Sequence, residues 1–94
     1  MTLDEFDKAL DITEEQKAEI QLEVDIIQAM IEVRKKKKLS QRDLSKLSGV
    51  TQPMIARMER RRVMPDTNTI IKMLHPMGYT IRVVPLEDNK VGIH

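Results

Sequence analysis

The chain has 94 residues, one third of them charged, with no cysteine and only two aromatic residues, Phe6 and Tyr79. This is enough for one small domain whose core must be aliphatic, with seven methionines as gap-fillers. The absence of cysteine excludes a disulfide framework, a thiolate nucleophile and a cysteine-based metal site. The net charge of +1 hides a segregation: residues 1–33 hold ten acids and two lysines (−8), residues 34–94 five acids and fourteen bases (+9). Such a split predicts two different partners, a polyanion for the basic part and something else for the acidic part. The acidic N-terminus lacks an apolar signal core and no apolar run approaches a membrane span, so a cytoplasmic protein without membrane contact is expected.

Residues 2–10 predict a short helix, with Thr2 and Glu5 as a capping box and Leu3, Phe6 and Leu10 as its apolar edge. A long second helix starts at Thr13, again with a capping box (Gln16), and Glu14 and Glu15 favour the positive end of its dipole. Ala18, Leu22, Ile26, Ala29, Met30 and Val33 form one apolar stripe, and Ile20, Val24, Ile27 and Ile31 a second beside it. Two stripes predict burial on more than one side, or against a partner as well as the core. The helix runs out in Arg34-Lys35-Lys36-Lys37-Lys38, which suits a solvated C-terminus or a phosphate contact.

Next comes LSQRDLSKLSGVTQPMIARMER, residues 39–60, around which the rest is organised. Ser40, with Asp43 three residues on, starts a helix over about 41–48, with Leu44 and Leu47 as its apolar edge. Gly49 stops it, Val50 drops into the core, and Thr51 caps a helix over about 52–60, with Pro53 in the first turn. Ile55 and Met58 form the buried edge of this second helix, leaving Gln52, Pro53, Ala56, Arg57 and Arg60 facing out. Pro65 biases Met64 away from helix, so Arg60–Pro65 is a loop. Asp66 then caps a helix through about His75, with Ile70, Ile71 and Leu74 buried, ended by Pro76 and Gly78. Residues 79–84, Tyr-Thr-Ile-Arg-Val-Val, alternate and are β-branched, which predicts a strand closed by Pro85. The chain holds no second strand to pair with it. A frayed tail over 87–94 is expected.

A short helix, a glycine turn and a second helix with small, amide and basic residues outward is the sequence form of a DNA-binding helix-turn-helix. The stretch LSQRDLSKLSGVTQPMIARMERRRVMP resembles the Cro/repressor-type (Xre-like) helix-turn-helix proteins through Gln41, Gly49, Val50, Gln52, Ile55, Glu59 and Pro65, and the likeness spans roughly residues 30–86. It departs at Ser45, where alanine is usual and whose hydroxyl must find a backbone carbonyl, and at Arg60-Arg61-Arg62, which replaces the usual Asn-Gly. The resemblance implies a mainly α, five-helix, lambda-repressor-like DNA-binding domain with a C-terminal strand that pairs across a dimer. Its parts would be an acidic helical extension (1–33), a helix-turn-helix core (34–78), a dimerisation strand (79–86) and the tail (87–94).

On this reading the second helix of the motif lies in the major groove of operator DNA. Gln52 reads adenine, and Arg57 reads guanine or holds a phosphate. Thr51, Pro53 and Ala56 permit close approach. Gln41 bonds a phosphate and supports Gln52, and Arg60, Arg61 and Arg62 contact the flanking backbone. Tyr79, Ile81 and Val83 are the expected dimer contacts. The acidic extension with the closing Gly-Tyr-x-Ile-x-Val-Val-Pro segment is similar to HigA-type antitoxins of type II toxin–antitoxin systems, whose toxin is typically a small basic ribonuclease. Leu3, Phe6, Leu10, Glu15, Glu19 and Glu23 are the expected toxin contacts. A stand-alone repressor without a toxin partner is the alternative, and a structural adaptor built on a helical hairpin a third reading. An enzyme is not expected: His75 and His94 are the only histidines, no nucleophile or phosphate-loop motif occurs, and neither a metal nor a cofactor is implied.

Overall fold

The computed structural model describes Thr2, Glu5 and residues 12–86. Among them are four α-helices: α1 (Glu14–Lys36), α2 (Gln41–Ser48), α3 (Gln52–Glu59) and α4 (Thr67–Leu74), followed by a 3-10 turn at His75–Met77. Local chemistry sets most of the starts. At α1 the Thr13 hydroxyl accepts the Gln16 backbone N–H (3.1 Å) while the Gln16 side-chain Oε1 accepts the Thr13 N–H (2.8 Å). At α2 Ser40 and Asp43 make the same exchange at 3.0 and 2.9 Å, and the bonds from Ser40 hold the Asp43 carboxyl below its ordinary pKa. Asp66 accepts the Thr69 N–H (2.8 Å) at α4. Thr51 is the exception. It takes the extended backbone of an N-cap, but its hydroxyl makes no cap bond, although the N–H of Met54, in the position used by the other three caps, is present.

The ends are as informative. Gly49 (φ +79°) closes α2 and Gly78 (φ +85°) closes the 3-10 turn in the left-handed conformation that glycine tolerates. Added Cβ atoms would meet nothing there, so the glycines are required by φ and not by space. Lys38 and Arg61, both at φ +59°, close α1 and α3 in the same conformation without that freedom.

The three short helices and the C-terminal half of α1 meet around Ile27, Met30, Leu44, Ile55, Met58, Ile70, Met73, Leu74 and Met77. Four of these nine are methionines, whose flexible thioethers fill a core to which the described residues contribute no aromatic ring. Val50 packs on this cluster from the turn, and Val33, Leu39 and Val63 pack on its rim.

Several sequence expectations are corrected. Leu47 is 54% exposed, because an eight-residue helix covered from one side buries only Leu44. Ile71 is also exposed, and Met73 takes its place inside. Ala18, Ile20 and Leu22 stay exposed, so the first half of α1 projects beyond the core that its second half enters. Five helices were expected and the described residues form four. Of the 2–10 helix only Thr2 and Glu5 are described, and these exchange the predicted cap bonds at 3.0 and 3.2 Å. No strand forms over 79–84. The described residues supply no partner strand, and Tyr79, Ile81, Val83 and Val84 remain exposed, Val83 completely. The frayed tail expected over 87–94 falls outside the described residues.

Ile55 is fully buried. Ile55→Ala should therefore cost about 2–5 kcal/mol in urea melts. Leu47→Ala should stay within about 0.5 kcal/mol of wild type.

Candidate nucleic-acid interface

α2 and α3 are set against each other by the turn at Gly49. The Gly49 N–H bonds the Ser45 carbonyl (2.9 Å), and the Ser48 hydroxyl accepts the Val50 N–H (3.1 Å). The bond expected of the Ser45 hydroxyl does not occur among the described residues. The side chain is half-buried and keeps access to water.

On α3 the core takes Ile55 and Met58, and Gln52, Pro53, Met54, Arg57 and Arg60 are exposed. Ala56, expected to face outward, is buried. It lies four residues after Gln52 and three before Glu59, on the one stripe of α3 that turns toward α2. Its small size leaves room there for the polar side chains that cross between the helices. The sequence reading missed Met54, which is exposed although it lies one turn before Met58 and beside the buried stripe. It lines an open groove with Val50, Val63, Met64 and Pro65, a placement that spacing within α3 does not signal.

Those polar side chains form one continuous chain of bonds. The Arg34 guanidinium, on a residue only 9% exposed, donates from Nε to Glu59 Oε2 (2.7 Å), from Nη2 to Glu59 Oε1 (2.8 Å) and from Nη1 to the Leu39 carbonyl (2.7 Å). Gln41 Nε2 donates to Glu59 Oε1 (3.0 Å), and Gln52 Nε2 donates to Gln41 Oε1 (3.0 Å). A carboxylate paired with a guanidinium can only accept, so the Gln41 amide must turn its NH2 toward Glu59 and its oxygen toward Gln52. The Gln52 amide must then turn its NH2 back toward Gln41. One N–H and the oxygen of Gln52 are left pointing away, the pair of groups that adenine N7 and N6 require. Gln41 therefore bonds both Glu59 and Gln52, and its amide nitrogen keeps a second N–H. Burial pushes the Glu59 carboxyl up, but the bonds from Arg34 and Gln41 and the charges of Arg34 and Lys35 outweigh it and hold its pKa below the ordinary value.

Arg57, Arg60, Arg61 and Arg62 are all exposed around the C-terminal end of α3. The N-terminal half of α1 carries exposed Glu15 and Glu19. Glu23 lines an open groove of about 250 Å³ with Ile20, Val24, Val63 and Met64. Leu3, Phe6 and Leu10 lie outside the described residues. The described residues hold no cluster of metal-binding side chains, and none of their helices is long and apolar enough to cross a membrane.

Two short helices crossing at a left-handed glycine, with an amide oriented at the start of the second and cations at its end, define a helix-turn-helix protein. The helix-turn-helix family model matches residues 30–84, and the chain belongs to that family, of the Cro/repressor or Xre-like kind. It is 42% identical over 82 residues to an uncharacterised HTH-type transcriptional regulator of Haemophilus influenzae, covering 87% of this chain and 83% of that one. Its structure is similar, with a TM-score of 0.69 and 37% identity, to a chain of a toxin–antitoxin module from Streptococcus pneumoniae, covering 92% of this chain and 94% of the other.

Removing one member of a buried ion pair strands the other. Arg34→Ala should therefore destabilise the fold by about 3–5 kcal/mol in urea melts, while Arg34→Met with Glu59→Leu should recover much of it. Because the folded pKa of Glu59 is lowered, its contribution is complete above the unfolded value and is lost as pH falls through the folded one. Glu59→Gln should thus flatten the stability profile below about pH 4.5.

Proposed function

We propose that this DNA-binding regulator is the antitoxin of a type II toxin–antitoxin pair, which binds operator DNA as a dimer, represses its own operon and neutralises a small basic ribonuclease. The observation that carries this reading is the likeness to a chain of a toxin–antitoxin module over nearly the full length of both proteins. The segregation of charge supports it: the −8 segment is repelled by DNA and is of the sign that steers a basic protein. The alternative, a repressor without a toxin, is favoured by the regulator of H. influenzae, with which this chain shares more identity.

In the proposed complex α3 lies in the major groove. Gln52 reads adenine, and Arg57 reads guanine or holds a phosphate. Thr51, whose hydroxyl is free of the cap, and Pro53 stand at the groove wall. Gln41, whose amide nitrogen keeps a second N–H beyond the one given to Glu59, bonds a phosphate at the start of α2. Arg60, Arg61 and Arg62 hold the flanking backbone. Residues 79–84 pair antiparallel with the same segment of a second copy, which supplies the ladder that one chain lacks, and Tyr79, Ile81 and Val83 fix the register. The acidic part, through Glu15, Glu19 and Glu23 with Leu3, Phe6 and Leu10, holds the toxin.

Three measurements test the scheme. Gln52→Ala and Arg57→Ala should each cost about 1–3 kcal/mol of specific binding. Equal loss on random duplex would exclude base readout at Gln52. Deleting residues 79–94 should give a monomer by sedimentation. A dimer that persists would move the interface to α1, whose exposed Ile20 and Leu22 are the next apolar surface. Co-expression with the neighbouring gene should let the full chain capture a basic partner, and capture of none would leave the stand-alone repressor. Equal capture by a chain lacking residues 1–12 would place the contact on α1.

A further inference from the structure

We propose that residues 1–11 latch onto the chain's own α1, with Phe6 seated in the groove between α1 and the loop after α3, so that the free protein covers the apolar contacts assigned to the toxin. The latch stands on the groove and on the pattern of the segment. Its consequence for a partner rests on the antitoxin reading.

The groove holds about 250 Å³ between Ile20 and Val24 of α1 and Val63 and Met64 of the loop. Ile20 is 49% and Met64 37% exposed, so both walls leave apolar surface in water. Lys17, Ile20 and Val24 follow at i, i+3 and i+7 and share one face of α1. Residues 14–25 hold five acids and Lys17 as their one base. An occupant of this face must therefore bring apolar side chains and an acid for Lys17.

The segment before α1 has that form. Leu3, Phe6 and Leu10 are each followed by an aspartate. Helical spacing continued from the Thr2–Glu5 capping box puts the three apolar residues on one edge, with Asp4, Asp7 and Asp11 together along one side of it. The length suits the site as well. An extended Thr13 separates the segment from α1, and antiparallel helices need a connection of only about 2–5 residues. At a rise of about 1.5 Å per residue, Ile20 and Val24 stand roughly 9 and 15 Å along α1 from Glu14, and a helix over residues 3–10 is roughly 12 Å long. Folded back, it brings Asp7 level with Lys17, Phe6 within a turn of Ile20 and Leu3 within a turn of Val24. Ile12 and Lys17 are half-buried while Glu14, Glu15, Gln16 and Ala18 are exposed. This end of α1 lies beyond the core, so their cover is local. A toxin that uses Leu3, Phe6 and Leu10 must first open the latch, and its apparent affinity falls by the fraction of molecules that are open.

Phe6 and Tyr79 are the only aromatic residues, and Tyr79 lines a different groove, with Ile26 and Ala29. Phe6 therefore serves as a ring-current probe in methyl NMR of the full chain. Phe6→Leu should move the Ile20, Val24 and Met64 methyl resonances and leave those of Ile70 and Met73 in place. Asp7→Lys, which sets like charges against each other at Lys17, should move the same three. Trypsin should cut after Lys8 several-fold faster in Phe6→Ser than in wild type. Methyls that stay in place in Phe6→Leu overturn the latch. Shifts that vanish on dilution would assign the ring to a second copy and overturn it too. With a co-expressed basic partner bound, the Ile20 and Met64 methyls should take the positions they have in Phe6→Leu, and unmoved methyls would overturn the competition. Capture of no partner removes the antitoxin reading and the competition together, while the methyl shifts of the free chain still decide the latch.

Discussion

The pairing of Arg34 with Glu59 is the constraint on which the rest depends. It joins the end of α1 to the end of α3, and through the Leu39 carbonyl it fixes the loop leading into α2. Half-buried ion pairs contribute little net stability compared with apolar packing. What this one supplies is direction. An acceptor-only carboxylate at one end of a polar relay orients two amides in turn, and the last of them stands at the start of the recognition helix. A site built from donors and acceptors of interchangeable appearance thus acquires a single arrangement before any ligand arrives, which lowers the ordering cost of binding.

The core around this relay is small and depends on thioethers. Each of the three short helices is too brief to be stable alone, so helicity there follows from packing. The caps define where each helix begins, and Leu44, Ile55, Met58 and Met73 hold them in place. Replacing the buried ion pair by apolar residues would leave this core intact and remove the orientation of Gln52. Stability and readout are therefore separable in this fold.

The sequence was most legible where a local signal has one structural meaning. The boxes at Thr13 and Ser40, the aspartate at residue 66 and the glycines at 49 and 78 fixed helix boundaries to within a residue or two. Facing was less legible. Ala56 is buried against expectation because the side of α3 that is covered is set by tertiary packing, which spacing within eight residues does not specify. Leu47 and Ile71 failed for a related reason: i, i+3 periodicity cannot tell a buried stripe from its margin. The relay itself was half legible. Gln41 supporting Gln52 could be expected from the motif, whereas the role of Arg34 was hidden in a run of cations that reads as a solvated helix end or a phosphate contact. The strand expected over 79–84 does not form among the described residues, where Tyr79, Ile81, Val83 and Val84 are simply exposed, because alternation and β-branching do not supply a partner strand.

No glycine or proline interrupts the 23 residues of α1. Its acidic half and its core half are therefore one rod, and the roughly 20 Å of helix between Glu14 and Ile27 has no joint at which to swivel. Anything that grips the free end acts on a lever whose fulcrum is the Arg34 guanidinium. On a symmetric operator, two such levers would leave the DNA at angles dictated by the spacing of the half-sites. In the proposed dimer the distance between two stretches of operator sequence would thus set the separation of two acidic rods.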